Sequence, residues 1–314
     1  MNSFFSRWIE SYLFNPDPLQ RLIGIAFFPT TVFYCIVTTY KRLSAKPKYY
    51  DIPVISIGNL LVGGTGKTPV TIAFAKDQKD VAVVLRGYGR ASKGLYVISK
   101  KGKILEDVNV SGDEAMLLAK SLPNTTIIVS ENRVEGIKKA KELKSKLVYL
   151  DDGYAQHNIQ KLNILIRPKK DPKNIFCLPS GGYRDTPMMY SFADIVLRED
   201  TDFTRVVTFK LDGKIVDELP KDTIFLTAIS KPQRVLEFLP KDIKMVSFID
   251  HYNFTQKDID DIRKKYPNNP IVTTAKDLVK LEKFNIKDLY LADLEITIDS
   301  KIIQKIEKEL ENSK

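Results

Sequence analysis

Gly63-Gly64-Thr65-Gly66-Lys67-Thr68 follows the apolar run Val54-Ile55-Ser56-Ile57. Glycines permit a tight turn whose successive N–H groups wrap around phosphate oxygens. Lys67 then reaches the outer phosphates and the Thr68 hydroxyl binds Mg²⁺, so the pattern points to a nucleoside triphosphate site. The plainer alternative is a Gly-rich turn, and the glycine expected five positions before Gly66 is Leu61. A second apolar run, Leu147–Leu150, ends on Asp151-Asp152-Gly153, which suits a carboxylate delivered to the metal beside the triphosphate. Either aspartate could instead cap a turn.

Gly112-Asp113-Glu114 opens a helical stretch. Its acidic residues either complement the helix dipole or make Asp113 a base for a substrate hydroxyl. Only two histidines occur, His157 and His251, and both follow strand-end acidic motifs. A lone His is commonly structural, but His251 gains a purpose if a base needs orienting. Arginines after strands complete the group: Arg86 and Arg90, Arg133, and Arg184. Guanidinium forks bind phosphate oxygens bidentately, although each could equally serve a surface ion pair.

These residues need a frame. Val54–Ile57, Val81–Leu85, Thr126–Val129, Leu147–Leu150, Leu162–Ile166 and Ile195–Leu197 read as buried strands with helical crossovers. Such runs predict a mostly parallel sheet covered on both faces, with ligands at the carboxyl ends of its strands. From about Thr204 a second, smaller α/β unit is expected. It contains a hairpin through Asp212-Gly213 and strands at Thr223–Ala228, Ile243–Ile249 and Pro270–Thr273. Thr274-Ala275-Lys276-Asp277 has capping-box spacing and should open a helix. The expected division is a membrane-associated segment 1–48, a P-loop kinase domain 49–204, a hairpin hinge 205–222 and a smaller α/β domain 223–314.

Leu22 to Tyr40 carries no charge and would span about 28 Å as one helix, close to a bilayer's apolar thickness. Lys41, Arg42, Lys46 and Lys48 follow it, which places the remainder of the chain on the cytoplasmic side if the helix crosses. A helix lying in the interface and a buried core helix are the alternatives. The net charge is +10, from 49 Lys plus Arg against 39 Asp plus Glu, which favours an anionic partner. The basic residues form no dense tract interleaved with aromatics, so nucleic acid is not the expected partner. Two cysteines, neither in a CxxC pair, argue against a disulfide framework or structural zinc.

In their order these motifs resemble the tetraacyldisaccharide 4′-kinase (lipid A 4′-kinase) family. The resemblance runs through Ser56-Ile57-Gly58-Asn59, Gly63–Pro69, Arg86-Gly87-Tyr88-Gly89, Gly112-Asp113-Glu114 and Asn132-Arg133. It continues through Asp151-Asp152-Gly153-Tyr154, Leu178-Pro179-Ser180-Gly181, Arg184-Asp185, Asp250-His251 and Thr273–Asp277. Membership would imply a P-loop NTPase-like α/β/α sandwich with an amino-terminal membrane helix and a second α/β domain joined by a two-stranded hinge. It would also imply transfer of the ATP γ-phosphate to the 4′-hydroxyl of a tetraacylated glucosamine disaccharide 1-phosphate. The setting would be the anionic inner leaflet of the inner membrane, with the catalytic domains on the cytoplasmic face. Gly63, Gly64, Thr65, Gly66, Lys67 and Thr68 would bind ATP, and Thr68, Asp151, Asp152 and Asp185 the Mg²⁺. Asp113 would be the base with His251 as partner, supported by Lys67 and Arg133. Three positions depart from the family pattern: Ala155 is inserted before Gln156-His157, Asp185 replaces a Glu, and Ala115 follows Gly112-Asp113-Glu114 where Pro is usual. A nucleotide switch acting on a protein partner would account for Lys67, Thr68 and Asp151 but not for Asp113, His251 or the apolar segment.

Overall fold

In the computed structural model, which describes residues 3–312, three helices come first: α1 (Ser3–Phe14), α2 (Pro18–Ala26) and α3 (Phe28–Leu43). An alternating series follows: β1 (Val54–Asn59), α4 (Lys67–Ala75), β2 (Val81–Leu85), β3 (Tyr96–Lys100), β4 (Lys103–Ile104), α5 (Val108–Ser111), α6 (Asp113–Ser121) and β5 (Thr126–Val129). Next come α7 (Arg133–Glu142), β6 (Leu147–Asp151), β7 (Leu162–Arg167), β8 (Ile195–Arg198), β9 (Phe203–Leu211), β10 (Lys214–Val216) and β11 (Ile224–Thr227). The chain closes with α8 (Gln233–Leu236), β12 (Lys244–Ser247), α9 (Gln256–Lys265), β13 (Ile271–Thr274), α10 (Ala275–Leu281), β14 (Leu289–Ile298) and α11 (Ser300–Asn312).

Two compact units form. The first gathers the residues up to Lys67, Lys141–Thr204 and the stretch from Ile298 on. Its strands lie in the order β6-β1-β7-β8, all parallel, with Val54 opposite Val148, Ile55 opposite Leu162 and Ile164 opposite Ile195. Every residue of β1 is buried. That is why β1 reads as a continuous apolar run rather than an alternating one.

Its amino-terminal helices correct one expectation. Leu22 to Tyr40 is not a single helix: α2 and α3 meet at Phe27 with a bend of 59°. Pro29 lies in the first turn of α3, where its missing N–H costs nothing, so it begins a new helix rather than continuing the old one. Among the described residues no single helix is long and apolar enough to cross a membrane, whereas the bent pair is by length and composition. Leu22, Ile25, Phe33 and Ile36 on this pair are 60–68% exposed.

The opposite faces of these helices are tied to the loop before β8. Tyr12 Oη donates to Pro179 O at 2.9 Å, and Thr31 Oγ1 lies 2.7 Å from Ser180 Oγ. Ser180 Oγ in turn donates to Gly24 O at 2.8 Å, and Tyr34 Oη to Arg184 O at 2.8 Å.

The second unit comprises Thr68–Ala140 and Arg205–Thr297. It contains the run β4-β3-β5-β2, in which β2 and β5 are parallel while β3 and β4 are antiparallel additions. It also contains a six-stranded sheet ordered β10-β9-β14-β13-β11-β12. Asp212 and Gly213 turn β9 into β10 as an antiparallel hairpin. Helix α6 packs on β3 and β5, and α10 packs on α6 and β13. Ile224, Leu226, Ile271 and Leu281 are fully buried in the same cluster, each worth roughly 1.5–3 kcal/mol.

Candidate functional site

The first unit builds a phosphate loop. Gly63 and Gly66 both have φ of 86°, a backbone conformation that side-chain-bearing residues rarely adopt. Thr65 is buried between them and the exposed Gly64, and Lys67 is the first residue of α4. Thr68 follows it, half-buried. The helix start adds the N-terminal end of a dipole and open N–H groups, an environment suited to anions. Leu61, where a glycine was expected, is buried beside Leu60, Leu165 and Tyr183, so it belongs to the core and not to the phosphate cradle.

Strand β6 lies beside β1, and Asp151 pairs in register with Ile57. Asp151 is buried, while Asp152 is exposed with φ of 52°. Gly153 must lack a side chain because a Cβ there would sit 2.4 Å from Leu150 Cβ. Arg184 grips Asp152 with a fork, Nη1 to Oδ2 at 3.0 Å and Nη2 to Oδ1 at 3.0 Å. It also donates to Asn59 O at 3.1 Å. Lys67 Nζ is 3.2 Å from Asn59 Oδ1 and 3.8 Å from Asp152 Oδ2.

Asp185 has a different neighbourhood. Its carboxylate pairs with Arg42 of α3 and accepts from Thr186 N at 2.9 Å. Burial pushes its carboxyl up, and Arg42 works against that. His157, beyond the inserted Ala155, meets Tyr154 edge-on at 6.0 Å. Burial first, then the nearby Arg42 and Lys161, push the His157 imidazolium down to about 4.

The second unit holds the other group. Asp113 is the first residue of α6, after Gly112 with φ of 78°, and it is buried. Its Oδ2 is 3.3 Å from His251 Nδ1 and 3.0 Å from Lys280 Nζ. Burial raises the Asp113 carboxyl, but the His251 and Lys280 contacts outweigh burial and leave it below its ordinary value. His251 has φ of 60°, uncommon for a residue with a side chain, and is fixed by its N–H donating to Ala228 O at 3.2 Å. The ring centroids of Tyr88 and His251 are 5.5 Å apart. Lys276 Nζ lies 3.2 Å from His251 Nε2, 3.2 Å from Asp250 Oδ1 and 3.9 Å from Glu114 Oε1. Arg133, at the start of α7, turns inward and donates to Ser130 O at 2.6 Å. Arg90 pairs with Glu131 at 2.6 Å.

The structure therefore brings Asp113 to His251, and Lys67 to Asp152 and Arg184. Sequence reasoning assigned no role to Asn59, Lys276 or Lys280. For Lys276 the only signal was its place in the helix opened by the Thr274 cap, and for Lys280 there was none.

A glycine loop between a buried parallel strand and a helix, with a carboxylate ending the neighbouring strand, defines a P-loop α/β nucleotide-binding protein. The family model for tetraacyldisaccharide-1-P 4′-kinase matches residues 22–311, and the chain belongs to that family. It is 57% identical over 295 residues to the tetraacyldisaccharide 4′-kinase of Aliarcobacter butzleri, covering 94% of each chain. It is 41% identical over 301 residues to that of Helicobacter acinonychis, covering 96% of this chain and 94% of the relative. The fold is similar to the crystal structure of LpxK from Aquifex aeolicus in complex with ATP. The TM-score is 0.72 at 26% identity, over 92% of this chain and 99% of the other.

Proposed function

We propose that this protein transfers the γ-phosphate of ATP to the 4′-hydroxyl of tetraacyldisaccharide 1-phosphate. The observation that carries this reading is the Asp113–His251 pair: a hydrolytic switch has no need of a buried base held by an imidazole, whereas a sugar hydroxyl does. The Gly63–Gly66 backbone and Lys67 hold the triphosphate. Arg184 keeps Asp152 in place by its two-point grip. Asp113 accepts the proton of the acceptor hydroxyl, and His251 Nδ1 orients the carboxylate and stabilises its charge. Arg133 supports this group by bracing the end of β5 through Ser130.

Hard oxygen donors on Thr68, Asp151 and Asp152 suit Mg²⁺, which characteristically takes one or two carboxylates and completes its shell with substrate phosphates and water. Among the described residues no cluster of three His, Cys, Asp or Glu forms a self-sufficient cage, which fits that mode. Mg²⁺ would neutralise charge on the phosphates. Asp185 is paired with Arg42, which would compete with the metal for its carboxylate.

The exposed apolar faces of α2 and α3, flanked by the exposed Lys41 and Lys46, support attachment to an anionic membrane surface, in bacteria the cytoplasmic face of the inner membrane. The test is to incubate the purified protein with Mg²⁺, labelled ATP and the disaccharide 1-phosphate in detergent micelles. A 4′-phosphorylated lipid is expected; ATP hydrolysis with no labelled lipid refutes the kinase reading.

A further inference from the structure

Lys280 plays no part in the chemistry described so far, yet its side chain is only 3% exposed. It sits on α10, one turn after Asp277. Its Nζ is 3.2 Å from Asp277 Oδ1, 3.0 Å from Asp113 Oδ2 and 5.5 Å from the centre of the Phe254 ring. Asp277 is fully buried and immobilised. Its Oδ2 accepts from Thr227 Oγ1 at 2.9 Å, Ala228 N at 2.9 Å and Thr274 Oγ1 at 3.0 Å. A buried cation requires a carboxylate partner, and Asp277 by itself would satisfy that demand. The second carboxylate, Asp113, is the group that carries the chemistry.

We infer that Lys280 is a positioning residue for phosphoryl transfer: anchored by Asp277, it fixes the Asp113 carboxylate beside His251. The inference rests on the reading of Asp113 as the base. Three elements supply charged neighbours to that carboxylate. Helix α6 gives Glu114, the segment after β12 gives Asp250 and His251, and α10 gives Lys276, Asp277 and Lys280. Of these only His251 and Lys280 touch Asp113 in ion-pair geometry. Asp277 reaches it through Lys280, and Lys276 meets Glu114 and Asp250 instead. Lys280 therefore links a locked carboxylate on one side to a reactive one on the other.

The test compares wild type with Lys280→Met, Asp113→Asn and the triple variant Asp113→Asn/Asp277→Asn/Lys280→Met in the full-length protein. The readouts are kcat, KM for ATP, melting temperature and the pH dependence of kcat/KM. Lys280→Met should keep KM for ATP and lower kcat by at least about tenfold. It should also move the acidic limb of kcat/KM to higher pH, because Asp113 loses a neighbouring cation. A folded Lys280→Met protein with wild-type kcat and an unmoved pH profile overturns the inference. If Lys280→Met fails to fold, Asp113→Asn/Asp277→Asn/Lys280→Met should fold, since both opposing carboxylates are then neutral. A triple variant that also stays unfolded overturns it too, because Lys280 would then serve the core and not Asp113. Wild-type turnover in Asp113→Asn would instead remove the base reading itself.

Discussion

Four side chains on the bent α2–α3 pair offer the sharpest test of membrane attachment. Leu22, Ile25, Phe33 and Ile36 are 64, 64, 68 and 60% exposed, so replacing all four by Ser removes little packing inside the protein. Complete burial of one such side chain is worth roughly 1.5–3 kcal/mol, so the exposed two-thirds offers about 1–2 kcal/mol each to a membrane. Four of them sum to about 4–8 kcal/mol if fully immersed, and to about 2–4 kcal/mol if half of that surface reaches the acyl region. At 1.4 kcal/mol per tenfold this is a loss of roughly 30- to 700-fold in vesicle partitioning. Co-sedimentation with vesicles rich in phosphatidylglycerol measures it, and the melting temperature should stay within about 2 °C of wild type. Unchanged partitioning of the folded quadruple variant would refute the assignment of this face to the membrane. A collapse in melting temperature would show instead that the face packs on protein.

Three further outcomes are expected. Lys67→Ala should keep the fold and lose transfer by on the order of 10²-fold or more, read by labelled-phosphate incorporation, with circular dichroism unchanged. Asp113→Asn should lower kcat by roughly 10²- to 10⁴-fold while ATP still binds in calorimetry; near-normal turnover would show that another group takes the proton. His157 is held neutral, with its folded value near 4 below the ordinary value of 6.5, so the unfolded chain binds the extra proton. Stability from this group is complete above the ordinary value and is lost as pH falls toward the folded one. Melting temperature should decline across that window, and His157→Gln should flatten the decline.

Much of the frame is legible because buried parallel strands must be apolar throughout. Val81–Leu85 and Thr126–Val129 match their observed bounds, and the others differ by one or two residues at one or both ends. The phosphate loop and Asp151 are legible for a similar reason, since geometry at a strand end leaves few residue choices. Strand β3 escaped notice because an antiparallel strand flanked only by the two-residue β4 on its outer side, with the pattern Tyr-Val-Ile-Ser-Lys, is only partly buried and its apolar run is short. The break at Phe27 escaped because hydropathy along a window carries no information about direction; Pro29 was visible, but not that it starts a helix. Lys280 was invisible for a deeper reason. A lysine in a charged helix normally reads as solvated, and only the packing of α10 on α6 turns it toward two carboxylates.

The hydrogen bonds from the amino-terminal helices have a practical consequence. Tyr34 binds the backbone carbonyl of Arg184, the residue whose side chain grips Asp152, while Thr31 and Tyr12 hold Ser180 and Pro179 a few residues upstream. A shortened chain beginning near Tyr50 would thus lose more than an exposed apolar surface. It would strip the partners that set the stretch ending in Arg184, leaving a buried serine and two carbonyls to find new ones. These helices brace the segment that carries Arg184, and solubility gained by cutting them away would come at the expense of that segment.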